Sequence, residues 1–85
     1  MKQLVVTIQG EAGLHARPAG AVVKKAGEFA SKITLEKEGK AIDAKRLLAV
    51  LSLGAKQGDQ LTITAEGADE EAAVAAVKEV IETSH

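Results

Sequence analysis

The sequence predicts an α+β fold: a two-layer open-faced sandwich, with a four-stranded, mainly antiparallel sheet and three helices on one face. Three observations lead there. Four short segments alternate apolar and polar residues with a period of two. Three others carry helical spacing or a compact apolar run, and they fall between and after the strands. The strand positions opposite the apolar set are mostly polar, being Val5, Thr7, Thr34, Glu36, Thr62 and Thr64, as a solvated sheet face requires. The order β-α-β-β-α-β-α then stacks its helices on the remaining face, in one domain of residues 1–85.

Leu4, Val6 and Ile8 alternate with Val5, Thr7 and Gln9, so the first strand turns its even positions inward. Gly10 to Gly13 form a loop. Ala19, Val22, Val23 and Ala26 then follow the apolar spacing of an amphipathic helix from about Ala16 to Gly27. Pro18 fits only the first turn, where its missing N–H is no loss, which sets the start near residue 16; Gly27 is the stop. Ile33 and Leu35 head a second strand, and Glu38-Gly39 makes a tight turn into a short third one at Lys40 to Ile42. Leu47, Leu48, Val50, Leu51 and Leu53 make a short helix that ends at Gly54. After a turn at Gly58-Asp59, Leu61, Ile63 and Ala65 alternate with Thr62 and Thr64 as the fourth strand. Asp69 is expected to cap the last helix, with Glu70 and Glu71 favourable in its first turn. That helix runs to about Glu82 and buries Ala73, Val74, Val77, Val80 and Ile81.

Composition narrows the function classes. The chain has one Phe and no Tyr or Trp, so its core is built from Ala, Val, Leu and Ile, and a large aromatic-lined pocket is not expected. Neither is a stacking platform for single-stranded nucleic acid. Eleven basic residues against twelve acidic ones leave a net charge of −1, the opposite of a nucleic-acid footprint. With no cysteine there is no disulfide or thiolate metal site. No signal peptide is visible, and no apolar run approaches the ~20 residues of a membrane span. A cytoplasmic protein without membrane insertion is the expectation.

The chemistry concentrates at Gly13-Leu14-His15-Ala16-Arg17-Pro18. Histidine suits group exchange near neutral pH, its unperturbed pKa being about 6.5. At the mouth of a helix it lies beside the unpaired N–H groups of Ala16 and Arg17, which together with the helix dipole favour an anion. Arg17 adds a forked, charge-assisted contact to phosphate oxygens. Gly13 and the small Ala16 are expected to leave room for an incoming phosphate. The plain reading, a surface or capping histidine beside a solvated arginine, fits each residue singly but not the joint pattern. The other histidine, His85, is terminal, is expected to fray, and is a poor rival. No second histidine or cysteine lies within ligand spacing of His15, so no metal is expected, nor any cofactor.

Gly13-Leu14-His15-Ala16-Arg17-Pro18-Ala19 resembles the active-site signature of the HPr family, the histidine-containing phosphocarriers of the bacterial sugar phosphotransferase system. Chain length, element order, Leu51-Ser52-Leu53-Gly54 and Gly58-Asp59 extend the resemblance over the whole sequence. It implies a carrier and not a free-standing enzyme. By the same resemblance, His15 accepts a phosphoryl group on Nδ1 from phosphoenolpyruvate-charged enzyme I and passes it to enzyme IIA components of sugar transporters. Arg17 is the implied phosphate-stabilising neighbour. Many Gram-positive members carry a regulatory serine just before the short second helix, where an ATP-dependent kinase acts in carbon catabolite repression. Here that position is Arg46, which leaves no regulatory serine there; Ser52 is the nearest hydroxyl and sits in a different context.

Arg46 also lacks the oxygen that caps a helix, a loss of roughly 0.5–2 kcal/mol. Either the short helix is locally weaker or Arg46 serves a partner contact, with Asp43 or water taking over part of the capping. Leu47, Leu48 and Leu51 read equally as core or, by the resemblance, as an apolar docking patch near His15. Arg17, Lys24, Lys45 and Lys56 are candidates for a basic rim that steers acidic partners. Gly20 is unusual in mid-helix, costing about 1 kcal/mol against Ala, and close approach of a partner or of another helix would explain it. A carrier that meets its partners through one face is expected to be monomeric. Two other functions stay open: a regulatory binding module on the same fold, and a paralogue in a nitrogen-related or dihydroxyacetone-linked relay.

Overall fold

The computed structural model describes residues 1–83, and the expectation for His85 lies outside them. The chain folds in the order β1 (Lys2–Thr7), α1 (Ala16–Ala26), β2 (Lys32–Lys37), β3 (Lys40–Asp43), α2 (Leu47–Ser52), β4 (Gln60–Glu66) and α3 (Glu70–Thr83). The sheet order is β1-β4-β2-β3, and every neighbouring pair is antiparallel. Because β4 lies between them, β1 and β2 run parallel to each other and α1 crosses from one to the other.

The register aligns one apolar row across the sheet. Leu4 pairs with Ile63, Ile63 with Leu35, and Leu35 with Ile42. Leu35 and Ile63 are fully buried, as are Ile33, Leu61 and Ala65 on the same face. The opposite row joins Val5 to Thr62 and Thr62 to Glu36, and Val5 is 54% exposed there. The helices cover the apolar face with Ala19, Val22 and Ala26 of α1 and with Ala73, Val74, Val77 and Ile81 of α3. Val23 and Val80 are half-buried at the margin of this core.

The turns obey local stereochemistry. Glu38 and Gly39 both have positive φ (50° and 85°), the conformation of a two-residue hairpin whose twist matches its strands. Gly54 stands at φ 61°, just beyond Leu53, and ends α2 with a left-handed residue. Gly27 ends α1 differently, keeping right-handed helical geometry, so its conformational freedom is not used.

Two local expectations are corrected. The β1 ladder covers Lys2–Thr7; Ile8 still exchanges hydrogen bonds with the turn, donating to Asp59 O and accepting from Gly58 N (both 2.9 Å). Asp69 stands at the N-cap position of α3, since Ala73 N–H donates to its carbonyl (2.9 Å), but its carboxylate does not cap that helix. Instead it accepts from the backbone N–H groups of Ala30 and Ser31 (each 2.9 Å) and from the Ser31 hydroxyl. Glu70 turns back to accept from Gly67 N–H (3.2 Å) and from the N-terminal ammonium (2.9 Å). The reason is a long-range demand. Ser31 is the buried polar side chain of the core region, and a carboxylate satisfies it better than water-exposed helix amides require.

Candidate functional site

The segment leading into α1 is seated on the loop between α2 and β4. Gly13 adopts φ 70°, and a Cβ there would collide with the Ala55 carbonyl oxygen and stand 2.9 Å from Lys56 Cα. Leu14 N–H donates to Ala55 O (3.0 Å), Gly13 N–H to Gly10 O (2.9 Å), and the Leu14 side chain is buried. Gly13 is itself buried, so its small size serves this close packing and does not leave room for an incoming phosphate, contrary to expectation.

His15 is the N-cap of α1, with extended backbone (φ −90°, ψ −171°), and its carbonyl accepts from Ala19 N–H (2.9 Å). Its side chain makes no capping bond and is exposed. The N–H groups of Ala16 and Arg17 have no partner among the described residues, and no acidic side chain occupies the first turn. Pro18, buried in that turn, contributes no donor and holds helical φ. Arg17 is exposed and has no ion-pair partner among the described residues. An exposed imidazole thus sits at a helix start whose first two amides are free, with an exposed arginine two residues on that has no ion-pair partner among the described residues. This set can hold an anion on the ring without a metal or cofactor.

α1 packs against α2, which brings the leucine-rich segment beside this helix. α2 attaches to the core through Val50 (0% exposed), a contact worth roughly 1.5–3 kcal/mol. Leu51 is half-buried against the core, whereas Leu47 and Leu48 are 42% and 80% exposed. The two readings of the leucines therefore divide: Leu51 is partly core, and Leu47 and Leu48 form a solvent-facing apolar pair. Lys24 is exposed on α1, and Gly20 is half-buried with open space around the position of a Cβ. Close approach of another helix does not account for Gly20. Lys45 is half-buried, and its Nζ donates to Phe29 O (2.8 Å).

Arg46 is the N-cap of α2 and makes no side-chain cap. Asp43 does not replace it on the helix; its carboxylate accepts from Lys45 N–H (2.9 Å) in the preceding turn. The helix is secured at its other end. Lys40 Nζ donates to Ser52 O and Lys37 Nζ to Gly54 O (both 3.1 Å), placing cations at its C-terminal carbonyls. The Ser52 hydroxyl donates to Ala49 O (2.6 Å) within its own helix.

These two lysines, and Asp59, carry roles that local sequence pattern does not reveal. Asp59 reads as a turn residue, yet its carboxylate accepts from Lys56 N–H (2.8 Å) and pairs with Lys37 (3.0 Å). The Lys56 amide, and then Lys37, hold its carboxyl below the usual carboxylate range. Among the described residues there is no group of three or more His, Asp or Glu side chains placed to hold a metal ion. No described helix is long and apolar enough to cross a membrane.

A small open-faced sandwich presents an exposed histidine at a helix N-terminus, an exposed arginine and two exposed leucines on neighbouring helices, the features of a carrier-type surface. The family model described as PTS-HPr, the PTS HPr component phosphorylation site, matches residues 2–83. A phosphocarrier protein HPr of Borreliella burgdorferi is 46% identical over 71 residues, 84% of this chain and 83% of that protein. A crystal structure of HPr from Thermoanaerobacter tengcongensis superposes with a TM-score of 0.93 at 42% identity, covering 98% of this chain and 93% of the other. A structure described as an HPr dimer from the same organism superposes with a TM-score of 0.78, again at 42% identity, covering 98% and 95%. The chain belongs to the HPr family of phosphocarrier proteins of the phosphotransferase system.

Proposed function

We propose that the whole chain acts as one phosphocarrier domain whose phosphoacceptor is His15. The Nδ1 lone pair attacks the phosphorus presented by phosphoenolpyruvate-charged enzyme I, the bond to the donor breaks, and the donor keeps that electron pair. The same exchange in reverse sense delivers the group to an enzyme IIA component of a sugar transporter. The free N–H groups of Ala16 and Arg17 and the Arg17 guanidinium hold the phosphate oxygens while it is attached. The observation that carries this reading is the exposed His15 ring, uncommitted to capping, at the start of α1 in a chain of this family. Leu47, Leu48, Leu51, Gly20 and Lys24 form the docking face for both partners. Arg46, in place of the serine that some members phosphorylate, leaves His15 as the point of control. The carrier works in the cytoplasm as a monomer, and sedimentation tests the monomeric state directly, since several similar structures are described as dimers.

The decisive experiment incubates the protein with phosphoenolpyruvate and enzyme I and looks for an acid-labile phosphate. The label is expected on the natural sequence and absent from His15→Ala. Label retained in that variant overturns the assignment. Exchange of enzyme I for its nitrogen-related counterpart, with rates compared, identifies which relay the protein serves.

A further inference from the structure

We propose that Asp59 is the positioning residue for the His15 segment, with Lys37 as its counterion; the inference rests on the reading of His15 as phosphoacceptor. Its basis is a single peptide group, Ala55–Lys56. The N–H of that group donates to the Asp59 carboxylate (2.8 Å), and its C=O accepts from Leu14 N–H (3.0 Å). A peptide group is a rigid plane, so a partner that holds one end sets the direction of the other. A hydrogen bond to a carboxylate is roughly twice as strong as a neutral one and polarises the same plane, strengthening its carbonyl as an acceptor. Gly13 lies flush on this plane, where any Cβ would collide with Ala55 O. The residue before His15 and the one before that are both seated on a surface whose orientation Asp59 controls.

Lys37 ties this seat to the sheet. From the end of β2 its ammonium reaches both the Asp59 carboxylate (3.0 Å) and the Gly54 carbonyl (3.1 Å), bracketing the Ala55–Lys56 peptide on its two sides. Asp59 N–H donates to Lys56 O (2.9 Å), closing the turn, and Asp59 O accepts from Ile8 N–H (2.9 Å) in line with β1. Neither residue touches the reacting atoms. Their effect is on where the His15 ring stands, and a misplacement of about 1 Å lowers a transfer rate by roughly 100-fold.

Amide hydrogen exchange and transfer kinetics on the full chain test this together. In Asp59→Ala the Leu14 amide is expected to exchange at least about 10-fold faster while Ile63, in the central strand, keeps its protection. The kcat for phosphorylation by enzyme I falls by a similar factor with KM unchanged, because the docking leucines are untouched. Asp59→Asn retains an oxygen for Lys56 N–H and is expected to recover most of both losses. Lys37→Met shows the same pattern more weakly, and these two variants carry the comparison should the alanine variant not fold. A merely structural role moves Leu14 and Ile63 together; that result, an unchanged Leu14, or an unchanged kcat overturns the proposal. Should the natural sequence take no phosphate, the carrier reading falls, and the exchange comparison alone decides whether Asp59 holds residue 14.

Discussion

The Asp69 carboxylate accepts hydrogen bonds from both the backbone N–H and the hydroxyl of Ser31, a residue 38 positions earlier in the chain. It joins the entry of β2 to the start of α3, and Gly67 completes the junction. At φ 152° a Cβ on Gly67 would stand 2.6 Å from the Ser31 hydroxyl oxygen. Replacing Ser31 by Ala removes one charge-assisted bond from a buried site. A melting temperature lower by about 5 °C or more is expected, without loss of His15 phosphorylation.

Acid should release the same junction. Asp69, held by Ser31 and Ala30, Asp59, held by Lys56 and Lys37, and Glu70, held by the N-terminal ammonium and Gly67, all have lowered pKa values. Groups depressed on folding stabilise fully above their unfolded values, about 4, and lose that contribution as pH falls through the folded values. Stability is therefore expected to be level with respect to these groups above about pH 5 and to fall below about pH 4. Melting curves of Asp69→Asn across that range should show a shallower acid limb; an unchanged slope would sink the assignment.

Two glycines on either side of His15 should respond oppositely to alanine. Gly13→Ala introduces a Cβ where φ is 70° and where Ala55 O blocks it, for a loss of about 2–4 kcal/mol. Gly20→Ala meets nothing within 4 Å and should stabilise the helix by about 0.5–1 kcal/mol. If Gly20 belongs to the docking face, transfer from enzyme I slows in the more stable variant. Denaturant titration paired with the transfer assay reads both quantities.

Arg46→Ser supplies the missing cap oxygen to α2. A gain of about 0.5–1 kcal/mol is expected from urea unfolding. Equal or lower stability would mean that the Arg46 stem already packs usefully against its surroundings.

Leu48 and Val50, two residues apart, separate docking from folding. Val50→Ala should cost about 1–3 kcal/mol, because the side chain is fully buried. Leu48→Ala, at 80% exposure, should leave stability within about 0.5 kcal/mol and raise KM for enzyme I. A Leu48→Ala variant with normal kinetics removes that residue from the docking face.

Element order and helix starts were legible because each rests on a short-range signal. The period of two places Leu35 and Ile63 inward, and Pro18 sets the start of α1. The proposed site residues His15 and Arg17 stand out in the sequence for the same reason, lying inside one six-residue stretch. What local pattern does not carry is the destination of long side chains. Asp69 serves Ser31 and not its own helix, Lys45 serves Phe29, and Lys37 reaches Gly54 and Asp59. Such partners are chosen by the tertiary fold, since an unmet buried polar group outweighs a modest local preference. The role of Gly13 was misread likewise, its neighbour Ala55 being 42 positions away.

The insertion of β4 between β1 and β2 has a consequence for the nascent chain. Until residues 60–66 have emerged from the ribosome, β1 has no strand beside it, because among the described residues β4 is its only neighbour in the sheet. His15 is made early but reaches its seat late, when the segment from Ala55 to Glu66 has emerged. Premature termination before that point yields a chain whose first strand is unpaired and whose histidine has no platform. The order of synthesis thus makes the intact sheet a condition for seating the segment that carries His15.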